Sequence, residues 1–180
     1  AFDRTLGWGF DGATAYLKTG VIPTATYCMS IRYSALVGSN GMVAGSISAS
    51  GDGLFYVAPM VGSKVEYGHG LNAQQAPGLV SGVVGIGPLM GYRNGVADKA
   101  IGSFTGTGRE VYIGAGNSGG APTSFAEVII QALAIHDDLT AGEMAILHAN
   151  MAAIQPPAAQ PDTDGAAIRH WVSLHVQPRA

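Results

Sequence analysis

The sequence predicts an all-β domain: a two-sheet antiparallel sandwich, closed by one short helix and followed by an extended C-terminal arm. Three observations predict this class. The 180-residue chain contains 27 glycines and only 12% charged residues, which suits many tight turns between short strands. Turn signals recur about every ten residues, as in sandwiches and barrels. Only residues 140–154 combine helical spacing with a helix-start signature.

The composition and charge exclude two classes of partner. The formal net charge is −3 and no cluster of basic residues occurs, so a nucleic acid held through its phosphates is not expected. No apolar run approaches the roughly 20 residues of a membrane span, and the N-terminus shows no signal-peptide pattern. The single cysteine, Cys28, is expected to be a small buried hydrophobic residue.

The first half of the chain is predicted to be short strands separated by turns. Trp8 is either an exposed ligand platform or a packed edge aromatic, and we favour packing. Residues 27–33 (YCMSIRY) form the clearest strand, because large apolar residues occupy every second position and therefore share one face. Further strands are predicted over residues 14–17, 42–47, 54–58 and 61–67, with glycine-rich turns at 38–41, 51–53 and 68–70.

The middle of the chain contains the strongest hairpin signal. Asn94-Gly95 lies between short strand-like runs, and both central residues of a type I′ turn require a positive φ. Residues 71–78 are polar and are predicted to be a loop, and residues 114–123 a glycine-rich loop without the lysine of a phosphate loop. Strands are predicted over residues 79–86, 89–93 and 109–113.

Residues 125–135 are predicted to form a strand that is covered on both faces, because both faces are apolar. Strict alternation places on one face Phe125, Ile129, Leu133 and Ile135, and on the other Ala126, Val128, Ile130, Ala132 and Ala134. The face of small residues needs a cover, and the helix that follows is the candidate.

The helix start is marked by a capping box. The Thr140 hydroxyl is spaced to accept from the backbone of Glu143, whose carboxylate is spaced to reach back, and Leu139 and Met144 form a hydrophobic staple. The helix must end before the two prolines at 156–157. The apolar stripe predicted to pack on the sheet consists of Met144, Leu147, Met151 and Ile154.

The chain is predicted to divide at residue 155. Residues 1–155 form the sandwich, and residues 156–180 form a linker rich in proline, alanine and aspartate followed by a terminal strand. That strand contains Trp171, Val172 and Leu174. An extended lead-in before a strand is typical of an assembly arm, so the strand is expected to pair either in its own subunit or with a neighbouring one.

Several segments occur in an order that is known from other proteins. They are FDG-x-x-x-YL at the start, the GYRNGV hairpin, VYIGAGNSGG, and IHDDLTAGEM before the helix. Their order over residues 10–154 resembles the concanavalin A-like lectin/glucanase superfamily, and within it the laminin-G-like jelly-roll modules. The resemblance implies a two-sheet antiparallel jelly roll, and it says little about ligands because these motifs are mostly turns and a cap.

The sequence contains no recognisable catalytic signature. Retaining glycosidases need two carboxylates about 5 Å apart, and none of the four glutamates has the required Glu-x-Asp-x-x-Glu arrangement. Glu127, in the last strand, faces either a cleft or solvent, and we favour the solvent-facing or edge position. No G-x-S-x-G elbow occurs. Asp137 and Asp138 are either Ca²⁺ ligands or a solvated turn, and we favour the turn. We therefore predict that the chain is not an enzyme and has no cofactor.

A saccharide site needs a flat aromatic ring beside amide or carboxylate groups, because sugars present both CH faces and hydroxyls. Two clusters meet this description in the sequence. The first contains Tyr67, His69 and Asn72, and the second contains Tyr92 and Asn94. Ordinary strand-end and turn roles are the alternative for all five residues.

The resemblance also suggests a setting for the protein, because modules of this composition resemble those in bacteriophage virion proteins. We predict a non-catalytic structural and surface-recognition module of the virion, in capsid decoration or in the tail, made in the host cytoplasm. Its expected partners are further copies of itself, other virion proteins and cell-surface glycan. The alternatives are a stand-alone carbohydrate-binding lectin and a glycoside hydrolase.

Overall fold

The computed structural model describes residues 2–3, 7–38, 40–51, 53–103 and 105–154. The strands are β1 (Phe2–Asp3), β2 (Gly7–Asp11), β3 (Leu17–Lys18), β4 (Tyr27–Val37), β5 (Ala44–Ile47), β6 (Leu54–Val61), β7 (Lys64–His69), β8 (Leu71–Gln75), β9 (Gly82–Ile86), β10 (Met90–Arg93), β11 (Val96–Ala100), β12 (Tyr112–Ile113), β13 (Gly116–Ser118), β14 (Ala121–Thr123) and β15 (Glu127–Asp137). One helix, α1 (Ala141–Ala153), follows them.

The strands form two sheets that pack face to face. Sheet I has seven strands in the order β1-β2-β15-β4-β9-β10-β11. Sheet II has eight strands, of which six follow the order β14-β13-β5-β6-β7-β8, while β12 joins β3 to β5. The pairs described are antiparallel apart from β13 with β5. The predicted all-β two-sheet antiparallel sandwich with one C-terminal helix is confirmed.

The core between the sheets is built from alternate residues of the long strands. In β4, Met29, Ile31 and Tyr33 lie in the core, whereas Cys28 and Ser30 face the helix. The predicted alternation of this strand is confirmed, and burial of each large apolar side chain contributes about 1.5–3 kcal/mol. Cys28 is fully buried, as expected, and burial raises the pKa of its thiol to about 11.

The strand β15 contains a bulge. Ile130 lies opposite Tyr33 in β4, but Ala132 rather than the residue before it lies opposite Arg32. Gln131 is therefore an extra residue in β15, and an extra residue reverses the faces of all side chains that follow it.

This bulge makes part of the predicted alternation of β15 wrong. Val128 before the bulge contacts the same core as Leu133 and Ile135 after it, although strict alternation places them on opposite faces. Ala132 and Ala134 pack beside the helix. The expectation that α1 covers small residues of this strand is therefore confirmed.

The capping box and the staple of α1 are both present. The Thr140 hydroxyl accepts from the Glu143 backbone N–H at 3.3 Å, and the Glu143 carboxylate accepts from the Thr140 backbone N–H at 2.8 Å. Leu139 packs with Met144 against Cys28. Each bond satisfies an N–H group that has no partner inside the helix.

The buried face of α1 differs from the predicted apolar stripe. Its buried residues are Met144, His148 and Met151, which lie four and seven positions apart and so share one face. Leu147 is only partly buried, and Ile154 is 44% exposed. The prediction for Ile154 is therefore wrong, and His148 takes the central position on this face.

The other end of α1 is held by a charge. The Arg32 guanidinium, which projects from the middle of β4, donates to the carbonyls of Met151 at 2.7 Å and Ala152 at 3.1 Å, and also to that of Ile154. A cation at the C-terminal end of a helix complements its dipole and satisfies free carbonyls. The helix therefore lies fixed over the outer face of sheet I.

The sequence predicted the turns of this protein more accurately than it predicted the polar strands. Asn94 and Gly95 have φ of 50° and 83°, so the predicted hairpin between β10 and β11 is confirmed. The polar segment predicted as a loop after residue 70 contains β8, and the predicted loop 114–123 contains β13 and β14. Both predictions are wrong because these strands are held by backbone pairing to β7 and β5 rather than by an apolar face.

Two further predictions bear on the chain as a whole. The terminal strand with Trp171, Val172 and Leu174 lies outside the described residues, so the boundary at residue 155 stays a prediction. Among the helical residues that the structure describes, no stretch has the length and apolar character needed to cross a membrane.

Candidate functional site

The first predicted ligand cluster is divided between the two faces of sheet II. Tyr67 and His69 point into the core and are fully buried. Asn72 lies opposite Gly68 in the neighbouring strand, and its side chain is exposed on the outer face. Side chains alternate along a strand, so sequence neighbours at 67, 69 and 72 do not converge. Only Asn72 reaches solvent.

The buried members of this cluster hold the two sheets together. The Tyr67 hydroxyl donates to Asp98 Oδ2 at 2.7 Å, and the same oxygen accepts from Arg93 Nη2 at 2.7 Å. His69 Nδ1 lies 2.8 Å from the Gly102 carbonyl, and burial lowers the pKa of its imidazole. These contacts join β7 of sheet II to β10, β11 and the segment that follows them.

The second predicted cluster lies beneath and beside the helix. Tyr92 is 6% exposed, packs with Met144, and meets the His148 ring edge-on at 6.2 Å. Asn94 Oδ1 accepts from the Val83 backbone N–H at 2.9 Å. Both residues therefore have structural partners, and ligand contact by either stays an untested prediction.

A row of outward-facing residues crosses sheet II. The cross-strand partners place Tyr112 between Lys18 and Gly45, and Gly68 between Tyr56 and Asn72. Gly45 and Tyr56 are adjacent, since a Cβ on Gly45 would lie 2.1 Å from the Tyr56 Cβ. From β3 to β8 the row is Lys18, Tyr112, Gly45, Tyr56, Gly68 and Asn72.

The Tyr56 end of this row is polar. A Cβ on Gly68 would lie 2.4 Å from the Tyr56 ring, so the ring lies across that glycine. Its hydroxyl lies 2.6 Å from Asn72 Oδ1 and also donates to Glu66, which accepts in addition from Gln74. Burial, followed by the Glu66 carboxylate, raises the pKa of Tyr56 far above its usual range.

The Lys18 end of the row opens into a groove with a volume of about 360 Å³. We call this the groove throughout. It is lined by Lys18, Gly20, Ile22, Gly108, Arg109, Glu110, Tyr112, Asn117 and Gly120. These residues come from three segments of the chain that β3, β12 and the start of the β13–β14 hairpin bring together.

Hydrogen bonds fix the wall of the groove. Asn117, which is 1% exposed, donates from Nδ2 to the Glu110 carbonyl at 2.9 Å and accepts at Oδ1 from the Gly120 N–H at 2.8 Å. Glu110 Oε2 accepts from the Gly20 N–H at 3.0 Å. The Tyr112 hydroxyl donates to the Gly120 carbonyl at 3.3 Å. The wall is therefore preorganised by bonds between distant segments.

Two cations line the same groove. The Lys18 ammonium lies 5.7 Å from the centroid of the Tyr112 ring, within the range of a cation–π interaction. The Arg109 guanidinium lies beside Gly120, where a Cβ would be 3.7 Å from Nη1. The centroids of the Tyr16 and Tyr112 rings lie 4.9 Å apart, and Tyr112 is 2% exposed. The groove therefore offers polar and charged groups rather than an open aromatic face.

The residues of the groove were missed at the sequence level for a physical reason. Asn117 looked like part of a glycine-rich loop, and Glu110 like the start of a strand. Their proximity to Lys18 depends on pairing across about 90 residues, as in the Glu110 to Gly20 bond. One local signal was present: Tyr112 lies between two core residues, Val111 and Ile113, and so must face outward.

The carboxylate considered for glycoside hydrolysis lies elsewhere. Glu127 is exposed at the start of β15, opposite Asp11. Asp11 is engaged by its own turn, since Oδ1 accepts from the N–H groups of Ala13, Thr14 and Ala15 at 2.8–2.9 Å. These bonds hold the pKa of Asp11 well below its usual range.

The metal candidates lie in the turn before the helix. Asp137 accepts from the Thr26 hydroxyl, and the Asp138 N–H donates to the Thr26 carbonyl at 2.9 Å. Within the ranges that the structure describes, no group of three or more histidine, cysteine, aspartate or glutamate side chains has the geometry of a metal site.

Solved structures share this architecture at low sequence identity. A heptameric SAP-like pentraxin from Limulus polyphemus has 11% identity over 78% of this chain and 80% of its own, with a TM-score of 0.56. A mutant of the NanB sialidase from Streptococcus pneumoniae has 16% identity over 71% of this chain, with a TM-score of 0.48, and this chain spans 24% of the NanB length. No protein-family model and no curated protein sequence matches this chain.

The sandwich and its similarity to the pentraxin define the class of fold. The described residues share the two-sheet sandwich fold of that pentraxin, with the helix on sheet I and the groove on sheet II. The two-sheet fold that the sequence resemblance implies is confirmed. The laminin-G-like and virion parts of that resemblance stay predictions.

Proposed function

We propose that this chain is a non-catalytic surface-recognition module that binds saccharides in the groove of sheet II. The observation that carries the proposal is the groove itself. It combines a carboxylate, two cations and backbone groups at three glycines. Saccharide hydroxyls both donate and accept, so they suit such a mixed surface. Its volume lies in the lower part of the range for small-ligand sites, about 300–1,000 Å³.

The position of the helix also favours the outer face of sheet II as the binding surface. The outer face of sheet I is occupied by α1, which Met144, His148 and Met151 hold against it. The groove lies on the opposite side of the sandwich, on a sheet whose outward row includes the exposed residues Lys18 and Asn72. The lectin fold class favours saccharide over other small ligands by analogy.

A glycan array with two matched variants tests this proposal. We expect the wild-type chain to bind at least one glycan class, and Glu110→Ala to weaken that binding about tenfold. A charge-assisted hydrogen bond contributes about 1.5–3 kcal/mol, and Glu110 lines the groove. Glu127→Ala removes an exposed glutamate outside the groove and should bind as the wild type does. Absence of wild-type binding to every glycan would contradict the proposal.

The glycosidase alternative makes a separate and opposite prediction. If the chain is a hydrolase that uses Glu127, polysaccharide turnover will be measurable and will disappear in Glu127→Gln. The engagement of Asp11, the residue opposite Glu127, by three backbone N–H groups favours the non-catalytic proposal, because it leaves Glu127 without a second free carboxylate from that strand.

We further propose that the chain assembles into homo-oligomers as a bacteriophage virion component, in capsid decoration or in the tail. The laminin-G-like sequence motifs and the alternating segment with Trp171, Val172 and Leu174 motivate this proposal. The edge strand β11, exposed at four of its five residues, is one candidate for pairing with an arm strand from a neighbour. Other virion proteins are the second class of partner.

Truncation after residue 155 tests the assembly proposal. Light scattering coupled to size-exclusion chromatography should give an oligomer for the full chain and a monomer for residues 1–155. The same truncation should leave glycan binding unchanged, since the groove lies within the sandwich. A monomeric mass for both chains would contradict assembly, and absence of the full chain from purified particles would contradict the virion setting.

A further inference from the structure

The groove contains two positively charged side chains that have no carboxylate partner among the described residues. Lys18 and Arg109 both line it, and neither forms an ion pair with a carboxylate among the residues that the structure describes. The whole chain carries a net charge of −3, whereas the groove has two cations and one carboxylate. An ammonium has three N–H donors and a guanidinium has five.

Both cations are placed by neighbours that do not neutralise them. The Tyr112 ring attracts the Lys18 ammonium at 5.7 Å without accepting its charge. Gly120 has φ of +101° and no side chain, and the Arg109 guanidinium occupies the space beside it. The Lys18 ammonium and the Arg109 guanidinium therefore both lie at the groove with donors that an anion can use.

The single carboxylate of the groove, that of Glu110, determines a second chemical group that the ligand must carry. Glu110 Oε2 accepts one backbone N–H, from Gly20, and keeps further acceptor capacity at both oxygens. A carboxylate repels an anion but accepts from hydroxyl groups. A ligand that satisfies the whole groove must therefore carry both an acidic group, for Lys18 and Arg109, and hydroxyls, for Glu110.

We infer that the groove is specific for acidic saccharides, with Lys18 and Arg109 binding a carboxylate or sulfate group and Glu110 binding neighbouring hydroxyls. This inference rests on the saccharide-binding function proposed above. Arginine binds the planar carboxylate in a bidentate manner, whereas lysine acts as a point charge. Two cations are too few for a nucleic-acid backbone, which requires a basic patch or stripe.

Isothermal titration with three matched disaccharides tests the inference. The probes are a disaccharide with a terminal glucuronate, its sulfated neutral-sugar analogue, and the uncharged analogue with a terminal glucose. We expect the wild type to bind at least one acidic probe at least tenfold more tightly than the uncharged one. Comparison of glucuronate with sulfate identifies the source of the charge. Binding of the acidic probe should weaken as salt increases, because the charges involved are partly exposed.

Three variants connect this preference to the groove. Lys18→Met and Arg109→Gln should each lower affinity for the acidic probe at least fivefold, and lower it by a larger factor than they lower affinity for the uncharged probe. Lys64→Met removes an exposed lysine in the β6–β7 turn region and should match the wild type. The inference is overturned if the charged and uncharged probes bind equally, or if neither groove variant changes the affinity for the acidic probe. In either case the proposed saccharide binding still stands. No binding of any glycan overturns both.

Discussion

Acidification from pH 7 to pH 4 is expected to reduce the free energy of unfolding by about 3 kcal/mol through His148 alone. Burial lowers the pKa of its imidazole from 6.5 to about 4. The unfolded chain therefore takes up this proton at a higher pH than the folded chain. The stability that this group contributes is fully present above pH 6.5 and is lost as the pH falls from 6.5 towards 4.

The contacts of His148 give the structural reason. The Gly95 N–H donates to Nδ1 at 2.9 Å, so Nδ1 carries a lone pair and the ring proton lies on Nε2. Nε2 lies 2.9 Å from Ser30 Oγ, which accepts from it. A second proton on Nδ1 would face the Gly95 N–H and break that bond. His148 is 1% exposed, and Tyr92 and Met144 beside it supply no negative charge to stabilise an imidazolium.

Urea unfolding at pH 7, 5.5 and 4 measures this effect. His148→Gln keeps a neutral donor and acceptor at this position, so it should lose much less stability than the wild type over the same pH range, even if it is less stable at pH 7. His69, whose pKa burial also lowers, titrates in both proteins and cancels in the comparison. The same pH dependence in both proteins would contradict the role of His148.

The second large effect is expected for Asp98→Ala, which should lower the free energy of unfolding by about 3 kcal/mol. Breaking a buried ion pair costs about 3–5 kcal/mol, and the lower figure applies because Arg93 and Asp98 side chains are 14% and 17% exposed. The substitution also removes the acceptor of the Tyr67 hydroxyl. Tyr67 is fully buried, and an unsatisfied buried donor has its own cost.

Thermal or urea unfolding of two further variants separates these contributions. Asp98→Asn keeps an acceptor for one donor and should cost less than Asp98→Ala. Adding Arg93→Met to Asp98→Ala removes the unpaired guanidinium, so the two effects should not add. Arg93 also donates to the Pro77 carbonyl at 2.6 Å, which the double variant loses. Additive effects, or a loss below about 1 kcal/mol for Asp98→Ala, would contradict this account.

The sequence by itself determined the local features of this protein. The alternation of β4, the Asn94-Gly95 hairpin and the capping box at Thr140 agree with the structure. Each depends on residues within a few positions of one another, whose turn, cap or face preferences act before any distant contact forms. Together with the spacing of turns, they were enough to predict the all-β sandwich.

The tertiary structure decided everything that depends on pairing between distant segments. The bulge at Gln131 reverses the faces of β15 through its register with β4. His148 became a core residue because Ser30 and Gly95 meet it there. The groove unites β3, β12 and the β13–β14 turn, whereas the neighbours Tyr67, His69 and Asn72 separate to opposite faces. Residues that are close in sequence need not be close in space, because successive side chains of a strand point to opposite faces of the sheet. Which side chains become neighbours is decided by strand pairing.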